Sequence, residues 1–193
     1  MKGVKVVKGI VRGEEYQKML IRLEGRTKIL RVLFELGCST GYRISDMLLL
    51  RARDVLKRNL RVVESKTGKI RHVEITKALR RVLRSYTKEM GLKDNDWLFS
   101  LDGKKPITRQ YAHKAIKQAG EEIGLEGMGT HSMRKTYAFN LLLNTNSFFR
   151  VQESLNHRYM STTMVYLLDG VLEVLPKLGR KRAKPCDYKT SNE

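Results

Sequence analysis

The side chains best equipped for chemistry stand near the end of the chain. SLNHRYMSTTMVYLLDG, residues 154–170, sets the His157 imidazole and the Tyr166 phenol nine residues apart. One uninterrupted helix would carry that spacing through about two and a half turns and point the rings to opposite faces. Two segments with a break between them let both rings reach one point. The cluster Ser161, Thr162, Thr163 is the expected break, because hydroxyls at a helix start accept hydrogen bonds from unpaired backbone N–H groups. In THSMRKTYAFNLLL, His131 and Arg134 are three apart and share a helical face. Thr130, the expected cap, puts that face at a helix N-terminus, where free N–H groups and the macrodipole favour an anion. A phosphate held by guanidinium, imidazole and backbone suits the arrangement.

Two further cations fit the same chemistry. Arg43, in TGYRISD, follows the turn at Gly41 and precedes an apolar helix. A guanidinium emerging there needs an anion or a dense set of acceptors, and Asp46, three residues on, is placed to orient it. Lys66, in ESKTGKIRHVEI, lies on a turn that can deliver an ammonium into a groove. Across the chain 39 Lys and Arg face 20 Asp and Glu, a formal charge of +19. So basic a chain repels itself when compact, which points to a polyanionic partner, nucleic acid before an anionic membrane surface. No apolar run approaches the roughly 20 residues that span a bilayer. MKGVKVVKGIVRGEE lacks the apolar core of a signal peptide, so the expected location is the cytosol. His72, His113, His131 and His157 form no HxxxH pair, Cys38 and Cys186 form no metal-binding cluster, and no GxxxxGK[ST] occurs. Neither a metal nor a nucleotide cofactor is expected.

The elements that must position these groups follow from periodicity. Glu14 to Leu36 is helical in pattern, broken at Gly25, with Gly37 expected to end the second helix. A helix restarts after Gly41, with Leu48 and Leu49 expected inward. NLRVVESKTGKIRHVEI reads as a β-hairpin around Thr67 and Gly68, its polar faces carrying Arg61, Lys66, Lys69 and Arg71. Helices are expected from Lys77 to Met90, from a Thr108 cap through Ile123, and from Thr130 onward. The fold class is mainly α with one small antiparallel β-sheet (α+β). One domain, 14–170, follows a basic segment, 1–13. It precedes a C-terminal segment, 171–193, in which Val171, Leu172, Val174 and Leu175 are apolar enough to dock and GRKRAKPCDYKTSNE is an expected mobile tail.

Arg43, Lys66, His131, Arg134, His157 and Tyr166 occur in the order found in the tyrosine recombinase catalytic domain, the phage integrase family, which this chain resembles from about Glu14 to Tyr166. Three positions depart from the family pattern: Asn156 replaces the usual glycine, Asp46 the usual glutamate, and Lys135 a frequent histidine. The resemblance implies site-specific cleavage and rejoining of double-stranded DNA through a 3′-phosphotyrosine, without cofactor. It implies Tyr166 as nucleophile, His131 as general base, Arg43, Arg134 and His157 as phosphate ligands, and Lys66 as the acid for the leaving 5′ oxygen. A homotetramer on two duplexes is expected, since each protomer has one nucleophile and four strands are exchanged. Type IB topoisomerase-like relaxation and a catalytically silent DNA-binding regulator of the same fold stay open as alternatives, as does the choice between a small complete recombinase and a catalytic fragment. A basic RNA-binding module ranks last, because aromatic residues are only 7% and scattered.

Overall fold

The computed structural model describes residues 8–10, 13–66 and 68–168. Most of the basic N-terminal segment, Thr67, Gly170, the apolar residues Val171 to Leu175, Cys186 and the tail lie outside the described residues. The chain divides into two compact units, Met1–Tyr137 and Ala138–Glu193.

In the first unit, α1 (Glu14–Glu24) and α2 (Lys28–Thr40) are separated at Gly25 as expected. Glu14 and Glu15 in the first turn of α1 complement its dipole. Thr27 caps α2 by accepting from the Ile29 N–H. The second helix is buried on nearly every side, through Ile29, Leu30, Val32, Leu33, Phe34 and Leu36, and packs against α1, α5 (Lys77–Glu89) and α6 (Arg109–Glu121). It is the hub of this unit's core.

Gly37 does not end α2. It lies inside the helix, where a Cβ would stand 2.6 Å from the Met133 Sδ, so its role is to let that side chain approach the backbone. The stop is Gly41, left-handed at φ 64, whose N–H returns to the Gly37 carbonyl. The next helices are single turns, α3 (Ile44–Met47) and α4 (Ala52–Val55). One turn cannot turn a whole leucine run inward, and Leu48 is buried while Leu49 is 58% exposed.

The hairpin forms as expected. β1 (Asn59–Val63) pairs antiparallel with β2 (Ile70–Glu74), Leu60 opposite Val73 and Val62 opposite Arg71. This register corrects one assignment: Arg71 shares the inward phase of Val73, while Ile70 takes the solvent side. The buried Arg71 donates to the Thr40 carbonyl at 2.6 Å and lies 4.7 Å from the centroid of the Tyr42 ring. The Tyr42 hydroxyl reaches the carbonyls of Leu60 and Arg71 at 3.0 and 2.9 Å. Together these bonds fasten the sheet to the end of α2.

Thr76 caps α5 and Thr108 caps α6, each accepting from the N–H three residues on. The latter helix stops at Glu121, two residues before the expected Ile123, because the chain turns through Gly124 at φ 76. The next helix, α7 (Thr130–Thr145), contains the division between the units. Thr130 is its first helical residue, and the hydroxyl that meets a backbone N–H at this end is Ser132, 3.0 Å from the Gly129 nitrogen.

In the second unit, α8 (Phe148–Ser154) is capped by Ser147 and followed by a helical segment over 160–168. Phe139, Leu142, Val151, Leu155 and Leu167 are buried there.

The close approach at Gly37 sets a test of the first core. Gly37→Ala should lower stability by about 1–3 kcal/mol, because the Met133 side chain must shift within a filled interior. Urea denaturation reads this as a lower midpoint at unchanged slope, and an unaltered midpoint would contradict the packing.

Candidate active site

Four of the six chemistry-bearing residues belong to the first unit. Arg43 precedes α3 in extended backbone, and its side chain is 21% exposed. Its Nη1 lies 2.9 Å from the Glu64 carboxylate. Arg134, one turn into α7 and buried, donates through Nη1 to the Gly41 carbonyl at 2.5 Å and lies 3.9 Å from the same carboxylate. The two guanidiniums therefore share one acid.

That acid is not the Asp46 expected from the sequence. Asp46 accepts instead from the Ser65 N–H at 3.1 Å and the Ser65 hydroxyl at 2.5 Å, tying the loop after β1 to α3. Glu64 was missed, although a signal existed: it continues the inward phase of Leu60 and Val62 one residue past β1.

Lys66 is exposed on the loop between β1 and β2. The loop is closed by Glu64, whose N–H donates to the Lys69 carbonyl at 2.9 Å and whose carbonyl accepts from Gly68 at 2.8 Å. His131, in the first turn of α7, reaches solvent. Partial burial of the ring, and then the positive groups Arg134, Arg43, His113 and Lys135, hold its pKa below the ordinary histidine value. Each disfavours the imidazolium, so the ring is predominantly neutral near pH 7 and fit to take a proton.

The other two residues belong to the second unit. The break between its helices falls before the Ser/Thr cluster, which lies inside the helical segment 160–168 and so does not cap it. The break is made by Asn156, left-handed at φ 51. Its N–H bonds back to the Glu153 carbonyl, and that of His157 to the Gln152 carbonyl, the paired closure of a Schellman motif. Asparagine tolerates this conformation better than most side chains, so the departure from glycine keeps the turn. The buried Thr163 has another use: its hydroxyl lies 3.0 Å from the His157 Nδ1 and fixes the ring. Tyr166, one turn further, meets the same imidazole edge to face, with ring centroids 5.5 Å apart at 80°.

Residues 10–169 match the phage integrase family. The chain is 37% identical over 156 residues to the probable integrase/recombinase YoeC of Bacillus subtilis (strain 168), covering 80% of this chain and 85% of YoeC. To tyrosine recombinase XerD of Rhizobium meliloti (strain 1021) it is 32% identical over 144 residues, covering 71% of this chain and 46% of XerD. The chain spans about half the length of the XerC and XerD relatives that it matches. Its fold is similar to that of the XerH site-specific recombinase bound to palindromic difH substrate in a post-cleavage complex, with a TM-score of 0.68 at 23% identity over 90% of this chain and 54% of XerH.

The electrostatics at His131 give a measurable outcome. Its ring resonance in an NMR titration should show a midpoint below the ordinary value of about 6.5. Arg43→Gln, which removes one like charge, should raise that midpoint. A titration at or above the ordinary value in the wild-type chain would contradict the arrangement.

Proposed function

The chain belongs to the phage integrase family, and from that premise we propose that it cuts and rejoins specific DNA sites through a covalent 3′-phosphotyrosine at Tyr166. The apposition of His157 and Tyr166 supports this most directly, since the turn at Asn156 and the Thr163 hydroxyl bring a phosphate ligand and a phenol together.

A phenol with a pKa of about 10 is a poor nucleophile at neutral pH. His131, neutral for the reasons given, accepts the Tyr166 proton as the phenolic oxygen attacks phosphorus. Arg43, Arg134 and His157 bind the non-bridging oxygens and stabilise the negative charge of the five-coordinate state. The bond from phosphorus to the 5′ oxygen breaks, and Lys66 supplies the proton to that oxygen. The products are a 3′-phosphotyrosine and a 5′ hydroxyl. A 5′ hydroxyl from another strand reverses the sequence and leaves a rejoined backbone. The scheme calls for no metal ion or nucleotide, because the phosphodiester energy is kept in the covalent link.

The excess of Lys and Arg fits double-stranded DNA as partner, and among similar solved structures XerH is bound to its difH substrate. Four copies act on two duplexes in this scheme, each contributing one tyrosine, and the setting is the DNA of the cytoplasm. No helix among the described residues is long and apolar enough to cross a membrane. The names of the relatives favour recombination over relaxation or a silent regulator.

The decisive probe is a pool of nicked duplexes with a randomised centre, incubated with protein and run on a denaturing gel. Wild-type protein should give a slow covalent band, and Tyr166→Phe none; equal bands, or none with the wild type, would overturn the reading. DNA binding should also fall by about 10³-fold or more between 50 and 200 mM salt if several phosphates are contacted. A flat response in a filter-binding titration would show that the charge serves something else.

A further inference from the structure

Glu64 lies outside the six residues of the proposed reaction, yet it is fully buried and touches two of them. A buried carboxylate is costly to desolvate and persists where cations repay it. Here the repayment is divided. One oxygen is 2.9 Å from Arg43 Nη1 and the other 3.9 Å from Arg134 Nη1. A single carboxylate between two guanidiniums offsets their mutual repulsion and fixes the distance between them. Recognition of two oxygens on one phosphorus depends on that distance.

The same residue also closes the loop that carries Lys66, through backbone bonds to Lys69 and Gly68. Any shift of Glu64 therefore moves the arginines and the base of the lysine loop together. Asp46 does not substitute for it, since its Oδ1 accepts from the Ser45 hydroxyl and from the N–H and hydroxyl of Ser65.

Resting on the phosphotyrosine reading, we propose that Glu64 is a positioning residue that sets Arg43 and Arg134 for the scissile phosphate before DNA arrives. It touches neither substrate nor reacting atoms. Its effect is on the rate of cleavage, through preorganised charge, and not on affinity for the duplex.

The test uses a duplex recovered from the randomised pool in two versions, one with the normal scissile phosphate and one with a methylphosphonate there. Replacing a non-bridging oxygen by methyl removes the charge that the arginines meet, so well-placed guanidiniums matter less. Glu64→Gln and Glu64→Asp are compared with the wild type, their folding checked by thermal melting. On the normal phosphate Glu64→Gln should slow covalent attachment by about 10- to 100-fold, the scale of loss from a misplaced catalytic group. DNA affinity should change by less than about twofold, and Glu64→Asp, which keeps the charge, should recover part of the rate. On the methylphosphonate the penalty should shrink to a few-fold. Equal fractional losses on both substrates would mean that Glu64 only supports the fold, and would overturn the proposal. Wild-type attachment matched by Glu64→Gln would overturn it too, while leaving the phosphotyrosine reading intact. A wild-type chain that never attaches would defeat that reading first.

Discussion

Holding Arg43 and Arg134 near each other, with Arg71 and Lys135 also buried, costs electrostatic work that the first unit must repay. The repayment comes from two directions. Glu64 supplies a full negative charge to the pair. The C-terminal end of α2 supplies the rest, because its last carbonyls carry the negative pole of the helix. Arg71 binds the Thr40 carbonyl and Arg134 the Gly41 carbonyl, so two buried guanidiniums cap one helix. Gly41 makes this possible: its left-handed conformation ends α2, and a Cβ there would stand 2.3 Å from the Tyr137 ring.

The hairpin is bound into the same network. Arg71 comes from β2, and Tyr42, which follows Gly41, bonds the carbonyls of both strands. Burial pushes the Tyr42 phenol well above its ordinary pKa, so it remains a hydrogen-bond donor at any physiological pH. Asp46 holds the strand end through Ser65. Lys66 is thus exposed on a loop whose base is fixed, a combination that suits an acid required to reach outward from a constant origin.

The sequence was most legible where one residue type has one local use. The Thr108 cap, the Gly25 break, the hairpin and the mainly α character with a two-stranded sheet could all be read from neighbours in the chain. Legibility failed where the partner is distant in sequence. Gly37 resembled a helix stop because its use, contact with Met133, is invisible to periodicity. Arg71 resembled a surface cation among 39 Lys and Arg, although its strand phase pointed inward. Glu64, for which no role was expected, takes the place expected of Asp46 beside Arg43, because three-residue spacing suggested a partner that α3, only one turn long, does not provide.

The Ser/Thr cluster shows how a correct inference can rest on a wrong cause. A break between His157 and Tyr166 was needed, and one exists, but the hydroxyls do not create it. Asn156 does, by entering the left-handed region and closing α8 with two backbone bonds. An asparagine there loses less chain entropy on folding than a glycine would, at a modest steric cost. With the turn supplied, Thr163 is released to hold the imidazole, and Tyr166 follows it by one turn of the same helix. The distance between phenol and imidazole is then set by three consecutive local constraints within the second unit: an αL residue, a side-chain hydrogen bond and a helical i, i+3 spacing. Each is short in sequence and cheap to form, so the pair does not depend on distant packing for its internal geometry.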